Sequence, residues 1–431
     1  MRTMQPYCHF RSYHGLLIFA TVTFSLITIG IASAASPDQA TSKAAVEQLQ
    51  EYLKVSVSER TPLDKQAFSQ VALTREDAKT AQQLLSQSYL QHLKQSRKQE
   101  MAARKIKHGD LEMPFFYSKF GNKPPTGRSM YISMHGGGGA PKQVNDQQWE
   151  NQKRLYRLTE GVYVVPRAPT NTWNLWHQGH IDPMFQRLIQ NLIAFEDVDP
   201  NRVYIMGYSA GGDGAYQLAP RMADRLAAAA MMAGHPNEAS PLGLRNIGFT
   251  IHMGGKDAAY NRNKVAASWG NQLAALRKED PGGYRHLVKI YPNKGHWMDR
   301  EDAVAIPWMA EFRRNPFPDR IVWRQDDVTH NRFYWLAVDD KNKRRGSVAE
   351  VSVKKQQIEI KKLQGIEQLI LRANDQILDL DQPVTVTFKG QQLFHGNLNR
   401  TVAMISKTLV ERGDPASIFS AQVTVSTTAS P

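Results

Sequence analysis

The pentapeptide Gly207-Tyr208-Ser209-Ala210-Gly211 constrains the fold of this chain more than any other feature. It follows residues 202–206, a short β-branched and aromatic run that is typical of a buried strand. It leads into residues 211–219, where glycines pass into a helix-compatible run. A strand, a sharp turn centred on the serine and a helix together make a nucleophile elbow, which lifts the hydroxyl into a cleft. The alternative interpretation is a plain tight turn with a surface serine.

Strand-like and helix-like segments alternate on both sides of this motif. This order predicts a mostly parallel sheet that is covered by helices on both faces, over residues 113–317. Ligands of such sheets bind at the carboxyl ends of the strands, so the serine stands where a site is expected. The predicted strands are residues 130–134, 162–165, 203–206, 228–233, 249–253 and 287–291.

The flanking regions have a different composition. Residues 35–112 are polar, and Thr74 with Asp77 gives a capping-type start to a helix that we expect to pack on the catalytic domain. The basic stretch 94–107 is interpreted as a solvated helix face. Beyond the Pro316-Phe317-Pro318 boundary, residues 318–431 contain short alternating runs that predict a small antiparallel β-domain, with one helix near residues 401–412.

The first 34 residues resemble a secretory signal. A basic start without acidic residues precedes an apolar run, and Ala32-Ser33-Ala34 fits a small-residue cleavage site. We therefore expect a secreted or periplasmic protein without stable membrane association after cleavage; an uncleaved anchor is the alternative. Cleavage would remove Cys8, the only cysteine, and with it any disulfide, thiol nucleophile or cysteine metal site.

The formal net charge is +14, yet no nucleic-acid module is recognisable. A solvated basic surface is the simpler interpretation, and attraction to an acidic polymer or an anionic cell surface is the alternative. No nucleic-acid partner is predicted.

A serine hydroxyl needs a base, and the base needs a carboxylate to fix its tautomer. His296 follows the predicted strand 287–291 on a glycine-flanked loop, and Asp257 follows the predicted strand 249–253. Both therefore lie where the partners of Ser209 should lie, in the order serine, acid, histidine. Asp299 and Glu301 are alternatives for the acid, but they are too close in sequence to His296 to orient it easily.

Asp213 lies within the elbow helix, and we expect it to point elsewhere. His252, within a strand, is interpreted as a hydrogen-bonded core residue.

Acyl transfer also needs donors for the negative oxygen that develops. His135 and four glycines, residues 136–139, directly follow the predicted strand 130–134. An amide of Gly136 or Gly137 is predicted to pair with the amide of Ala210 as an oxyanion hole, while His135 braces the loop. A merely flexible glycine loop is the alternative.

Four further residues follow strands and are tentative substrate contacts: Trp173, Trp176, His177 and His235. For the tryptophans, core packing is an equally good interpretation. No residues have convincing metal-ligand spacing, and the pair His177 and His180 alone is weak evidence. No metal or other cofactor is predicted.

Residues 199–212 resemble the elbow region of secreted α/β-hydrolases of the polyhydroxybutyrate depolymerase and feruloyl esterase type, and residues 135–139 resemble the lipase and esterase oxyanion motif. The resemblance covers residues 113–315. It implies an α/β-hydrolase fold, a triad of Ser209, Asp257 and His296, carboxylic-ester substrates that are small or polymeric, and no cofactor. The absence of cysteine from the mature chain departs from many such esterases.

These observations predict an exported serine hydrolase that cleaves carboxylic esters through an acyl-enzyme. A prolyl-oligopeptidase-like peptidase shares the fold and the triad order, and is the first alternative. A non-catalytic polymer- or wall-binding protein with a degenerate hydrolase domain is the second. The C-terminal β-domain either binds a polymer or merely packs on the core.

Overall fold

An eight-stranded sheet lies at the centre of the computed structural model, which describes residues 37–426. Its strands are β1 Lys105–His108, β2 Leu111–Phe120, β3 Arg128–Met134, β4 Gly161–Pro166, β5 Val198–Tyr208, β6 Ala228–Met232, β7 Gly248–Gly254 and β8 His286–Tyr291. They are arranged in the order β1-β2-β4-β3-β5-β6-β7-β8. Strands β3 to β8 run parallel, whereas β1 and β2 are antiparallel to their neighbours. The predicted mostly parallel sheet is confirmed, and the predicted signal segment 1–34 lies outside the described residues.

Nine α-helices surround the sheets in the described part of the chain. They are α1 Gln39–Lys54, α2 Arg75–Ser96, α3 Lys98–Ala103, α4 Lys142–Leu155, α5 Ile181–Glu196, α6 Ala210–Arg221, α7 Arg262–Glu279, α8 Ala305–Ala310 and α9 Val402–Arg412. None of the helices within residues 37–426 combines the length and apolarity needed to cross a bilayer.

Alternation along β5 explains why helices cover both faces of the sheet. Val203 and Ile205 belong to a core that includes side chains of α5, α6 and α7. Tyr204 and Met206 point to the other face and join a core that includes Ile306 of α8. Because successive side chains of a strand point to opposite faces, an almost continuously apolar strand must be buried on both sides. The helices on both faces bury it.

The hairpin of β1 and β2 was not predicted from the sequence. Residues 94–107 were interpreted as a helix face, but α3 ends at Ala103 and Arg104 adopts a left-handed conformation with a φ of 50°. The chain then forms an edge strand in which Lys105 and Lys107 lie 2.8 and 3.0 Å from the Glu112 carboxylate. The helix interpretation holds over the end of α2 and over α3. For residues 105–107 the alternating lysines resemble a solvated helix face, so the sequence pattern favoured the wrong structure there.

The C-terminal region contains two further sheets. One has five strands, β9 Arg320–Arg324, β12 Val348–Lys354, β13 Gln357–Gln364, β15 Val384–Phe388 and β16 Gln391–Gly396. The other has four, β10 Arg332–Phe333, β11 Leu336–Ala337, β14 Gln368–Ala373 and β17 Ala421–Ser426. The predicted antiparallel pairing holds except between β13 and β15, which are parallel.

Residues 333–338 read as one continuous β-rich run in the sequence, but they fold into a tight hairpin. Tyr334 has a φ of 52°, which reverses the chain between β10 and β11. Its hydroxyl donates to the carbonyl of Ala223 at 2.9 Å, and the indole N–H of Trp335 donates to the carbonyl of Pro318 at 2.8 Å. Both aromatic side chains are buried. Their burial against distant segments explains why a β-rich run turns here.

The N-terminal helices share a core with α9. The predicted cap of α2 is present, since the Thr74 hydroxyl accepts from the amide of Asp77 at 3.2 Å. Leu49 of α1 and Leu85 of α2 pack in one cluster with Ile405 and Leu409 of α9. More than 300 residues separate these partners along the chain. The residues that the structure describes form one compact unit.

Candidate active site

Ser209 occupies a strained turn between β5 and α6. Its backbone has a φ of 57° and a ψ of −120°, a region that non-glycine residues rarely adopt. A Cβ on Gly207 would lie 2.0 Å from the carbonyl oxygen of Gly211, and a Cβ on Gly211 would lie 2.2 Å from that of Met134. Close backbone contacts therefore leave no space for a side chain at either glycine of the motif. The packing of the strand and the helix maintains the strained backbone conformation of Ser209.

His296 and Asp257 continue from the serine as a chain of hydrogen bonds. The Oγ of Ser209 lies 3.0 Å from Nε2 of His296, and Nδ1 of His296 lies 2.7 Å from Oδ2 of Asp257. Asp257 is only 3% exposed, and its other oxygen is 3.8 Å from the guanidinium of Arg262. A carboxylate accepts the Nδ1 proton, so Nε2 is left as the acceptor for the serine hydroxyl. This is the arrangement that activates a serine as a nucleophile.

The alternative acids lie elsewhere. Asp299 and Glu301 both pair with the ammonium of Lys294, at 2.7 and 2.8 Å. The Oδ1 of Asp213 accepts from the backbone N–H of His235 at 2.6 Å. Asp257 is therefore the carboxylate that the structure brings to His296. The expectation for Asp213 needs a correction, because its side chain lines the same cavity as Ser209.

Tyr208 links the loop of His296 to the elbow by hydrogen bonds, a role that was not predicted from the sequence. Its hydroxyl donates to the carbonyl of His296 at 2.6 Å and accepts from the amide of Met298 at 3.0 Å. Burial raises the pKa of Tyr208, so the phenol stays protonated as a donor. The residue before the serine in this motif is variable, so the pattern carried no signal for this role.

The glycine loop after β3 faces the elbow. Gly137 and Ala210 line the cavity that contains Ser209. The amide of Gly138 is already used, because it donates to Oδ1 of Asn145 at 2.9 Å. Gly136 is not among the residues that line the cavity within the described part of the chain. Both glycines predicted as oxyanion donors therefore lie near the elbow: Gly137 lines the cavity, and a Cβ on Gly136 would lie 3.3 Å from the Cβ of Ser209.

His135 fixes the start of this loop. Its Nδ1 lies 2.6 Å from the carbonyl of Gly136, and its Nε2 accepts from the amide of Ala168 at 3.1 Å. Burial lowers the pKa of His135 to about 4, which keeps the ring neutral. A neutral ring that donates on one side and accepts on the other braces the loop.

The cavity in front of Ser209 has a volume of about 530 Å³. Trp173, which is 62% exposed, and His235 line it, and their contact with substrate stays a prediction. Trp176 and His177 are buried away from it, which corrects their tentative assignment. The indole of Trp176 donates to the carbonyl of His135 at 2.9 Å, and His177 packs edge-on against Trp173. Within residues 37–426, no cluster of three or more side chains could hold a metal ion.

Comparisons with known proteins agree with the fold. Residues 166–305 match the model of the dienelactone hydrolase family, which covers about a third of the chain. No significant match was found among curated proteins. The strand order and the family match together make this chain a hydrolase with the α/β-hydrolase fold.

Solved structures with a similar fold include esterases and a peptidase. A thermostable esterase is 19% identical over 49% of this chain and 62% of its own, with a TM-score of 0.39. Dipeptidyl peptidase 4 of Porphyromonas gingivalis is 14% identical over 48% of this chain and 34% of its own, with a TM-score of 0.35. Esterase 2 of Thermogutta terrifontis is 17% identical over 48% of this chain and 88–89% of its own, with a TM-score of 0.33. The chain thus spans less than two thirds of the length of the first two.

Proposed function

We propose that this protein is an exported serine hydrolase that cleaves carboxylic esters through an acyl-enzyme. The observation that carries the proposal is the hydrogen-bonded chain from Ser209 through His296 to Asp257, with spacings of 3.0 and 2.7 Å. These hydrogen bonds lower the free-energy cost of removing the proton from the serine hydroxyl, which a nucleophilic serine requires.

In the first half of the reaction, Oγ of Ser209 attacks the ester carbonyl while Nε2 of His296 takes its proton. The carbonyl oxygen becomes negative and is stabilised by the amide of Ala210 and by an amide of the glycine loop. Each such donor is worth about 10²–10³ in rate. Asp257 stabilises the imidazolium that forms. When the tetrahedral intermediate collapses, the C–O bond to the alcohol breaks, and His296 returns the proton to the leaving oxygen.

In the second half, water attacks the acyl-serine. His296 takes a proton from the water, and the same two amides hold the second negative oxygen. Collapse breaks the bond between the acyl carbon and Oγ of Ser209, and the serine regains its proton from His296. The carboxylic acid leaves, and no group other than water is consumed.

The test is hydrolysis of short-chain p-nitrophenyl esters by wild type and by Ser209→Ala. Ser58→Ala is the matched control, because Ser58 is exposed in the loop after α1. We expect Ser209→Ala to abolish turnover and labelling by a fluorophosphonate, and Ser58→Ala to retain both. Turnover that survives in Ser209→Ala would contradict the proposal.

The same assay separates the two alternatives. Cleavage of aminoacyl amides in preference to esters would favour a peptidase. Failure of Ser209 to react with the fluorophosphonate would favour a non-catalytic binding protein. Export is tested separately, by N-terminal sequencing of the protein recovered after expression with its predicted signal. We expect the mature chain to begin at Ala35.

A further inference from the structure

A second cavity, of about 140 Å³, lies where α5 and α6 meet the segment that leads into β10. One water molecule occupies roughly 30 Å³, and sites for drug-sized molecules measure roughly 300–1,000 Å³. The cavity therefore has space for a small ion rather than for an organic substrate. Its charged lining residues are Asp182, Arg221, Asp224, Arg225 and Arg332.

The two carboxylates of this cavity are already paired. Asp182 accepts from Nη2 and Nε of Arg221 at 2.6 and 2.9 Å. Oδ2 of Asp224 lies 2.7 Å from Nη1 of Arg412. Asp327 adds a longer contact to Arg221, at 3.7 Å. Each lining aspartate therefore already has an arginine of its own.

Arg225 has only a share of one carboxylate. Its Nη1 lies 3.5 Å from Oδ2 of Asp414, an oxygen that is 2.7 Å from Nη2 of Arg314. The same Nη1 donates to the carbonyl of Arg412 at 2.9 Å. Arg225 is only 6% exposed, and its Nη2 has no acceptor within residues 37–426. A buried donor of a charged group costs free energy when it is unpaired, so an anion that accepts from it is bound favourably.

Arg332 lacks a carboxylate partner altogether. Its Nη2 donates to the neutral Oε1 of Gln186 at 3.0 Å, and no ion pair of this arginine occurs among the described residues. The carboxylates whose charge acts on it are those of Asp224 and Glu411, and Glu411 lies 2.5 Å from Arg372. Burial lowers the pKa of Arg332 to about 10, the effect expected for a cation without a counterion.

Two arginines thus remain when each carboxylate of the junction is assigned one partner, and both line the cavity. We propose that the cavity binds a tetrahedral oxyanion, inorganic phosphate or sulfate, between Arg225 and Arg332. The planar guanidinium presents parallel N–H donors that match two oxygens of such an anion. Asn331 also lines the cavity and is exposed, which gives a small ion a route from solvent.

The two arginines belong to different parts of the fold. Arg225 ends the short turn after α6, and Arg332 is the first residue of β10 in the four-stranded sheet. A bound anion therefore joins the helices of the hydrolase sheet to the C-terminal region, and an ion that binds only the folded chain stabilises it by mass action. None of the residues that line this cavity lines the cavity of Ser209, so the inference does not depend on ester hydrolysis.

The test is isothermal titration calorimetry of the purified protein with sodium phosphate and with sodium sulfate, at neutral pH and an ionic strength held constant with sodium chloride. We expect one saturable site per chain for each oxyanion. Arg332→Gln should raise Kd for phosphate at least about tenfold, the effect of losing one hydrogen bond to a charged group. Arg345→Gln is the matched control, because Arg345 is exposed and lies outside the cavity. Its Kd should stay within about twofold of wild type, since salt screens an exposed charge.

Absence of a saturable site, or a Kd that Arg332→Gln leaves unchanged, would overturn the proposal. If Arg332→Gln does not fold, Arg332→Lys replaces it. Its ammonium keeps the charge but lacks the fork of donors, so Kd should rise about threefold or more. Glycerol 1-phosphate separates a free oxyanion from the phosphoryl group of a larger molecule. We expect it to bind more weakly than phosphate, and equal or tighter binding would contradict an inorganic ligand.

Thermal unfolding gives an independent measurement. Phosphate also stabilises proteins because it is excluded from their surface, so the comparison is made between variants at one phosphate concentration. At about ten times the wild-type Kd, phosphate should raise the Tm of wild type and of Arg345→Gln by about 1–2 °C more than that of Arg332→Gln. Equal increases in all three proteins would contradict a specific site.

Discussion

Removal of one hydroxyl from Tyr208 should impair the proposed catalysis more than it impairs folding. Tyr208→Phe keeps the ring, whose centroid lies 5.5 Å from that of Trp297 and 6.0 Å from that of His296. It removes the donor to the His296 carbonyl and the acceptor for the amide of Met298, a residue that is fully buried. An unsatisfied buried group costs about 1–3 kcal/mol. We expect the free energy of unfolding to fall by about that amount.

The catalytic effect follows from the position of these bonds. They hold the loop on which His296 must keep its 3.0 Å contact with Ser209. A misplacement of about 1 Å can cost roughly 10²-fold in rate. We therefore expect kcat for p-nitrophenyl butyrate to fall about 10- to 100-fold, with KM changed less than twofold, because the cavity itself is untouched.

Tyr204→Phe is the matched control for this prediction. Tyr204 lies on the same face of β5 as Tyr208 and in the same core, but its hydroxyl donates to the carbonyl of Phe312 at 2.8 Å and not to the His296 loop. Urea unfolding should show a similar loss of stability for both variants, and steady-state kinetics should show the loss of kcat only for Tyr208→Phe. Equal kcat values in two equally destabilised variants would refute a positioning role for Tyr208.

Three further predictions test other parts of the molecule. Asp257→Asn removes the acceptor that orients His296, so kcat should fall roughly 10³- to 10⁴-fold with the fold intact by circular dichroism; activity within tenfold of wild type would exclude this acid. Burial raises the pKa of Asp213 from its usual 3.8 to about 7, so the wild-type stability should decline as the pH rises through that window. Because Asp213→Asn cannot ionise, its free energy of unfolding should increase relative to that of wild type between pH 4 and pH 8, by at most about 4 kcal/mol in urea unfolding. A difference in free energy of unfolding that does not change with pH would show that Asp213 does not titrate there. Leu409→Ala should cost about 2–5 kcal/mol, and a double-mutant cycle with Leu49→Ala should be non-additive, because both side chains lie in one core; strict additivity would argue against a shared core.

The central strands were predictable because their signal is local. Each is a short apolar run that ends in glycine or another turn residue, and burial on both faces leaves no other structure for such a run. The order of Ser209, Asp257 and His296 was predictable for a related reason, since each follows a predicted strand and parallel strands place their carboxyl ends along one edge.

The missed residues have no comparable local signal. Tyr208 belongs to an apolar strand, and only the fold shows that its hydroxyl meets the His296 loop 88 residues later. Trp176 and Trp173 are three residues apart and chemically alike, yet one is buried and the other lines the cavity. Spacing cannot distinguish them, because the direction of each side chain depends on the path of an irregular segment.

The sequence by itself determined the fold class and the set of residue types available to the site. Period-two and apolar patterns specify strands, and the glycines at 207 and 211 are specified by a turn that leaves no space for a Cβ. The tertiary structure decided which groups meet: α9 with the N-terminal helices, Asp257 rather than Asp299 with His296, and Asp213 with the cavity. The physical reason is that backbone preferences act over a few residues, whereas these contacts join residues that only the packing of the whole chain brings within a few ångströms.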